Sequence, residues 1–128
     1  MKSEILKGKK ILIVEDDLAS RLYLNKILEK TEAVLINAGD GVSAVRTAME
    51  NPDLALILMD IQLPVMDGYS STKKIKDSGH NCKIVAQTAY SLADELEKIK
   101  SAGFDDYIIK PIFADQLIDK LSLVMAEK

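Results

Sequence analysis

The chain is poor in the residues that build covalent cross-links and transition-metal sites. Cys82 is the only cysteine and His80 the only histidine among 128 residues. A single cysteine excludes an intrachain disulfide, and a cytoplasmic setting is the default expectation. A lone histidine between Gly79 and Asn81, without further ligands nearby, indicates a surface loop residue rather than a zinc site.

Two further absences narrow the class of protein. No apolar run approaches the roughly 20 residues of a membrane span, and the N-terminus lacks the apolar core of a signal peptide. The net charge is −3, so the chain lacks the basic footprint of a nucleic-acid-binding protein. A hydrophobic fraction of 48% still suffices for one ordinary core. We expect one domain over residues 9–128, with the polar, lysine-rich residues 1–8 as a tail or linker remnant.

Five short apolar runs alternate with segments of helical period. Most runs are continuous rather than alternating, which is typical of parallel strands covered on both faces. They span Lys10–Val14, Val34–Ala38, Leu54–Met59, Lys83–Thr88 and Tyr107–Ile109. The order predicts an α/β fold of five βα units, (βα)5.

The helical segments have predicted apolar faces and predicted ends. These faces comprise Ser20, Leu24, Ile27 and Leu28; Val45, Ala48 and Met49; Leu92, Leu96 and Ile99; and Leu117, Ile118, Leu121, Val124 and Met125. The third helix, Tyr69–Asp77, is the most polar. Asp17, Asp67 and Ser91 are predicted helix caps, and Gly103 a helix terminator.

Polar residues follow four of the apolar runs. Glu15 and Asp16 follow the first and Asp60 ends the third, while Thr88 and Lys110 end the fourth and fifth. Strand ends of a parallel α/β sheet share one edge, where ligands bind. A carboxylate at this edge can attack a phosphoryl group. Mg²⁺ held by acidic residues can neutralise the negative charge of the two reacting groups. A lysine and a hydroxyl can contact the phosphate oxygens. Each residue alone has a simpler explanation as a helix cap, strand-end hydroxyl or solvated lysine, so their joint placement carries the prediction.

Four stretches resemble the signatures of receiver domains of two-component phosphorelay systems. They are Ile11–Asp17 (ILIVEDD), Leu58–Gly68 (LMDIQLPVMDG), Gln87–Ala89 (QTA) and Tyr107–Pro111 (YIIKP). The resemblance covers nearly the whole chain. It implies a flavodoxin-like doubly wound sheet of five parallel strands in the order 2-1-3-4-5.

The same resemblance implies roles for the acidic residues. Asp60 would be the phosphoacceptor, and Asp16 a direct ligand of Mg²⁺, for which Mn²⁺ could substitute. Glu15 would act on the metal through a water, and Gln62 would supply its backbone carbonyl. Asp60 itself would complete the metal site.

Further implied roles concern the response to phosphate. Thr88 and Tyr107 would be a switch pair, and Lys110 the phosphate partner, presented by a cis Lys110–Pro111 bond. Tyr90 has two open interpretations: an aromatic that covers the site and restricts attacking water, or a solvated loop residue.

The resemblance is closer still to receivers of hybrid histidine kinases, on Ala86–Tyr90, Ala102–Ile112 and Gly8–Lys10. The implied partners are the dimerisation and phosphoacceptor domain of a histidine kinase and a histidine phosphotransfer domain. The resemblance also implies a weak dimer through the face of helix 4, strand 5 and helix 5. No direct contact with nucleic acid and no membrane insertion of this segment are expected.

Two other functions compete with a signalling receiver. An aspartyl-phosphate hydrolase of the haloacid dehalogenase type would also place its nucleophile after a strand, but it would want a second acid where this chain has Gln62. A flavodoxin-like nucleotide binder would want a phosphate-cradling loop, whereas Glu15-Asp16-Asp17 would repel phosphate without a metal.

Overall fold

A five-stranded parallel sheet forms the centre of the molecule. The computed structural model describes residues 2–89 and 92–127. The strands are β1 (Lys10–Val14), β2 (Val34–Ala38), β3 (Leu56–Asp60), β4 (Lys83–Thr88) and β5 (Asp106–Ile109). Their order is β2-β1-β3-β4-β5, with every neighbouring pair parallel. This confirms the predicted fold, and the third and fifth strands differ from prediction only at their ends.

Five α-helices connect and cover the strands. They are α1 (Leu18–Glu29), α2 (Gly41–Glu50), α3 (Gly68–Asp77), α4 (Ala93–Ser101) and α5 (Ala114–Ala126). Aspartate caps begin three of them. The side chains of Asp17, Asp40 and Asp67 each accept a hydrogen bond from the backbone amide three residues later in the chain. The donor–acceptor distances are 2.9, 2.7 and 2.8 Å, respectively. The predicted caps Asp17 and Asp67 are thereby confirmed.

Side-chain alternation along the strands divides the core into two layers. Leu12, Ile57 and Ile84 face the layer that α2, α3 and α4 cover. Their neighbours Ile13, Leu58 and Val85 face the layer that α1 and α5 cover. Because successive residues of a strand point to opposite faces, the continuous apolar runs fill both layers.

Two predicted helix faces are wrong at one residue each. Met49 is 43% exposed, since α2 turns Ala44 and Ala48 towards the sheet instead. Leu92 is 70% exposed and precedes α4 at its N-cap position, so it is no part of the helix face. In both cases apolar character alone did not fix the rotation or start of a short helix. The predicted cap Ser91 lies outside the described residues.

The N-terminal segment contacts the domain. A short 3₁₀ helix over Lys2–Leu6 packs beside α5, and Leu6 is fully buried in the layer of α1 and α5. Two adjacent apolar residues, Ile5 and Leu6, show no periodicity among polar neighbours, and the sequence therefore indicated only a tail. The division between a tail at 1–8 and a domain at 9–128 stays a prediction.

Candidate functional site

The C-terminal ends of four strands bring the predicted polar residues to one edge of the sheet. Val14 lies beside Met59 in the β1–β3 register, and Glu15 follows it directly. Asp60 lies beside Gln87 in the β3–β4 register. Thr88 lies beside Ile109, and Lys110 follows. Strand register alone thus assembles Glu15, Asp60, Thr88 and Lys110 from remote parts of the chain.

Three carboxylates form a cluster at this edge. One oxygen from each of Glu15, Asp16 and Asp60 lies within 4.8 Å of the others. Glu15 and Asp60 are only 2% and 4% exposed, whereas Asp16 is exposed. Like charges this close disfavour one another's ionised forms unless a cation lies among them. Oxygen donors of this kind suit a hard divalent cation such as Mg²⁺, so the residues present fit the metal that the resemblance implies.

Lys110 supplies a positive charge to the cluster. Its Nζ lies 3.1 Å from Asp60 Oδ2 and 3.8 Å from Glu15 Oε1. Its backbone amide donates to the Thr88 carbonyl at 2.7 Å, and the Lys110–Pro111 bond is cis, as the resemblance implied. One ammonium against three carboxylates leaves an excess of negative charge, which a divalent cation would balance.

The loop after β3 fixes the Asp60 carboxylate. The backbone amide of Gln62 donates to Asp60 Oδ1 at 3.0 Å, and Gly68 folds back to donate to the Ile61 carbonyl at 2.9 Å. A Cβ at Gly68 would collide with the Asp60 carbonyl oxygen and the Ile61 Cα. Glycine is therefore required where α3 begins directly against the site.

The pKa of Glu15 is raised from 4.5 to about 7, mainly because the carboxyl is buried and also because of the nearby charge of Asp60. The backbone amide of Asp17, which donates to Glu15 Oε2 at 3.2 Å, and the Lys110 ammonium partly oppose this rise in pKa. Glu15 in the metal-free protein therefore exchanges its proton near neutral pH. A bound cation would favour its charged form.

Thr88 and Tyr107 lie on the opposite face of the sheet end, towards α4. Thr88 is 3% exposed and lines a cavity of ≈20 Å³ together with Asp60 and Lys110. Tyr107 lies beside Ala86 in the β4–β5 register, packs against the same core layer, and has the Lys120 ammonium 5.6 Å from its ring centroid. The two predicted switch residues are thus neighbours on one face.

Sequence reasoning assigned no role to two residues at this site. Gln87 is 1% exposed. Both Gln87 and Glu95 of α4 line the ≈20 Å³ cavity. The signal for Gln87 was a polar residue inside the apolar strand Ile84–Ala86, whereas one acid on a charged helix gave none for Glu95. The hydroxyl of Tyr69, from α3, donates to Glu95 and so joins the two helices beside the site. Tyr90 lies outside the described residues.

Comparison with known proteins identifies the family. The response regulator receiver domain model matches residues 11–122. A probable histidine kinase 2 of Oryza sativa is 34% identical over 89% of this chain, which spans 12% of that kinase. Among solved structures, the receiver domain of a Pseudomonas aeruginosa sensor histidine kinase, described with magnesium in its active-site cleft, shares 34% identity at a TM-score of 0.85. That match covers 94% of this chain and 99% of the other.

A second solved structure pairs a receiver with a phosphotransfer protein. The receiver domain of the Saccharomyces cerevisiae response regulator Ssk1, crystallised with the histidine phosphotransfer protein Ypd1, shares 30% identity at a TM-score of 0.88. The match covers 94% of this chain and 91% of the other.

The chain belongs to the response regulator receiver family and is a signalling domain of two-component systems. The comparisons do not favour the hydrolase alternative. The chain spans only 12% to 17% of the length of the first relatives that it matches. No helix within residues 2–89 and 92–127 has the length and apolarity to cross a membrane.

Proposed function

We propose that Asp60 accepts a phosphoryl group from a phosphohistidine of a partner kinase. An oxygen of the Asp60 carboxylate forms the new bond to phosphorus, the N–P bond breaks, and its electron pair returns to the imidazole. Asp60 is nearly buried, and the Gln62 amide fixes its orientation at 3.0 Å. The ion pair of 3.1 Å between Asp60 and Lys110, inside a cluster of acids, is the observation that carries this proposal.

Asp16, Asp60 and the Gln62 carbonyl would hold Mg²⁺, with Glu15 acting through a water. When bound, the ion neutralises charge on the phosphoryl oxygens. The excess negative charge of the cluster supports this assignment, and so does the solved relative described with magnesium in its cleft. Mn²⁺, with similar oxygen preferences, is expected to substitute.

Lys110 would exchange partners during the reaction. Before phosphorylation its ammonium pairs with Asp60 and Glu15. Afterwards a phosphoryl oxygen would replace the Asp60 oxygen as its partner, because the new group carries more negative charge into the same space. In this way the domain would catalyse its own phosphorylation and dephosphorylation without turning over a small molecule.

Thr88 and Tyr107 would convert the new charge into a packing change. The Thr88 hydroxyl would move to a phosphoryl oxygen, and Tyr107 would turn into the space on the same face. Moving the populations from 1:99 to 99:1 needs roughly 5.5 kcal/mol of differential interaction, which a few charge-assisted hydrogen bonds can supply. Beryllofluoride, an aspartyl-phosphate mimic, should then shift amide signals of β5 and α4 more than those of β2 and α2. Shifts confined to residues that touch Asp60 would contradict the switch.

The partners would be a histidine kinase and a histidine phosphotransfer domain in the cytoplasm. The yeast complex shows a phosphotransfer protein with a related receiver, and the related kinases contain a receiver-like segment. Leu18 and Leu22 are exposed on α1, which begins two residues after Asp16, and exposed Phe113 lines a cavity with Glu15 and Lys110. These apolar side chains offer a surface for such a partner. A weak dimer would use α4, β5 and α5, where Tyr107, Ile109 and Leu123 line a concavity of ≈690 Å³.

The direct test is phosphorylation by acetyl phosphate with Mg²⁺, followed by intact mass. Wild type should gain one phosphate, and Asp60→Asn should gain none, because the amide lacks the nucleophilic oxyanion. Asp53→Asn is the matched control, since Asp53 is an exposed aspartate that pairs with Lys10 away from the acid cluster. An undiminished adduct in Asp60→Asn would place the phosphoacceptor elsewhere. Sustained hydrolysis of a phosphomonoester would instead favour the hydrolase.

A further inference from the structure

The side-chain amide of Gln87 is unusual in its surroundings. Gln87 is 1% exposed, and neither its Nε2 nor its Oε1 has a hydrogen-bond partner among the residues that the structure describes. A buried amide without partners destabilises a fold, and an apolar side chain of the same shape would avoid that cost. Its presence in the buried C-terminal end of β4 therefore needs a reason other than packing.

Gln87 belongs geometrically to the acid cluster. It lies beside Asp60 in the register of β3 and β4. Two residues earlier on each strand, Val85 and Leu58 pack in the layer of α1 and α5, as does Ile108 two residues before Lys110. Since every second residue of a strand faces the same side, Gln87 extends the same face as Asp60 and Lys110. It lies on the strand between theirs.

The groups around Gln87 match what an amide can offer. Glu15 Oε1 is also buried without a hydrogen-bond partner in the described chain, and the Lys110 ammonium has three donors, of which Asp60 Oδ2 takes one. Gln87 lines the ≈20 Å³ cavity with Asp60 and Lys110, and a second cavity of ≈330 Å³ with Glu15 and Lys110. The smaller one is about the size of a single water, so one small movement or one bridging water would connect the amide to the cluster.

We propose that Gln87 is a positioning residue for phosphotransfer. After such a movement, or through such a water, its carbonyl oxygen accepts from the Lys110 ammonium and its NH₂ group donates to the Glu15 carboxylate. Lys110 must release Asp60 when phosphate arrives, and the amide then keeps the ammonium within reach of the phosphoryl oxygens. This inference rests on the proposed function and adds a residue through which Lys110 is held.

The test compares stability with phosphorylation in Gln87→Met, which keeps the length of the side chain and removes both polar atoms. The free energy of unfolding in urea should equal or exceed that of wild type. The phosphorylation rate at saturating Mg²⁺ and acetyl phosphate should fall about tenfold. In a Lys110→Ala background the same substitution should cause no further loss, because Gln87 acts through Lys110. Gln87→Leu repeats the measurement with another apolar shape.

Ser122→Ala is the matched control. Ser122 on α5 is likewise buried, and its hydroxyl oxygen has no hydrogen-bond partner among the described residues. It lines neither cavity of the cluster, so Ser122→Ala should leave the rate unchanged. A rate for Gln87→Met within twofold of wild type would overturn the proposal. So would an equal loss in the Lys110→Ala background, or a loss of stability that parallels the loss of rate in both apolar variants. Wild type that gains no phosphate would instead overturn the proposed function.

Discussion

Glu15 should make the metal-free protein more stable as the pH falls through neutrality. Its pKa is about 7 in the folded chain, against 4.5 for an ordinary glutamate, and the main cause is burial. Between pH 4.5 and about pH 7, Glu15 therefore keeps a proton in the folded state that it has released in the unfolded state. The penalty of burying the charge is fully present above about pH 7 and is relieved as the pH falls towards 4.5.

The size of the effect follows from the shift in pKa. Each unit corresponds to about 1.4 kcal/mol, and between about pH 8 and pH 5.5 the linkage contributes about 2 kcal/mol to the unfolding free energy. Glu15→Gln keeps the shape and removes the titration. At about pH 8 it should be more stable than wild type by roughly 3 kcal/mol, and this difference should fall below about 1 kcal/mol at about pH 5.

The assay is urea unfolding of both proteins in EDTA at several pH values. The difference between wild type and Glu15→Gln reports Glu15 together with its interactions with Asp60 and Lys110, because the titrating residues remote from this site are common to both proteins. Glu50→Gln, at an exposed position on α2, provides the matched control for the substitution itself. A flat difference for Glu15→Gln would refute the reasoning, and a stability of wild type that rises with pH relative to the variant would reverse its sign.

Three further predictions address the metal, the N-terminal segment and a strained loop. In a Mg²⁺ titration, Asp16→Ala should weaken metal binding by roughly tenfold or more. Glu15→Ala should weaken it less, because a water can replace the carboxylate oxygen. Equal affinity in wild type and Asp16→Ala would remove Asp16 from the metal site. Leu6→Ala should lower the unfolding free energy by about 2 to 4 kcal/mol, because Leu6 is fully buried beside α5. A decrease in unfolding free energy of less than about 0.5 kcal/mol would mean that this segment does not belong to the cooperative unit. Val65 has a φ of 68° and is 91% exposed, so Val65→Gly should raise the unfolding free energy by about 1 kcal/mol. The control Val34→Gly, in extended β2, should lower it by a similar amount. Destabilisation by Val65→Gly would show that the backbone there carries no strain.

Local chemistry made much of the fold predictable from sequence. Continuous apolar runs predicted the five strands, since a parallel sheet covers both faces of each strand. The caps Asp17 and Asp67 were predictable because a cap interacts with amides three residues away. Sequence order and residue type likewise predicted the acidic cluster, because parallel strands place their C-terminal ends at one edge.

Features that depend on remote neighbours required the tertiary structure. The pKa of Glu15 is set by burial and by Asp60 and Lys110, which only the strand register brings together. The rotation of α2 that exposes Met49, and the burial of Leu6 beside α5, depend on which surfaces face each other. Gln87 was visible in the sequence only as a polar residue in a strand. Its role follows from its lack of hydrogen-bond partners in the described chain, beside Asp60 and two residues that match its donors and acceptor.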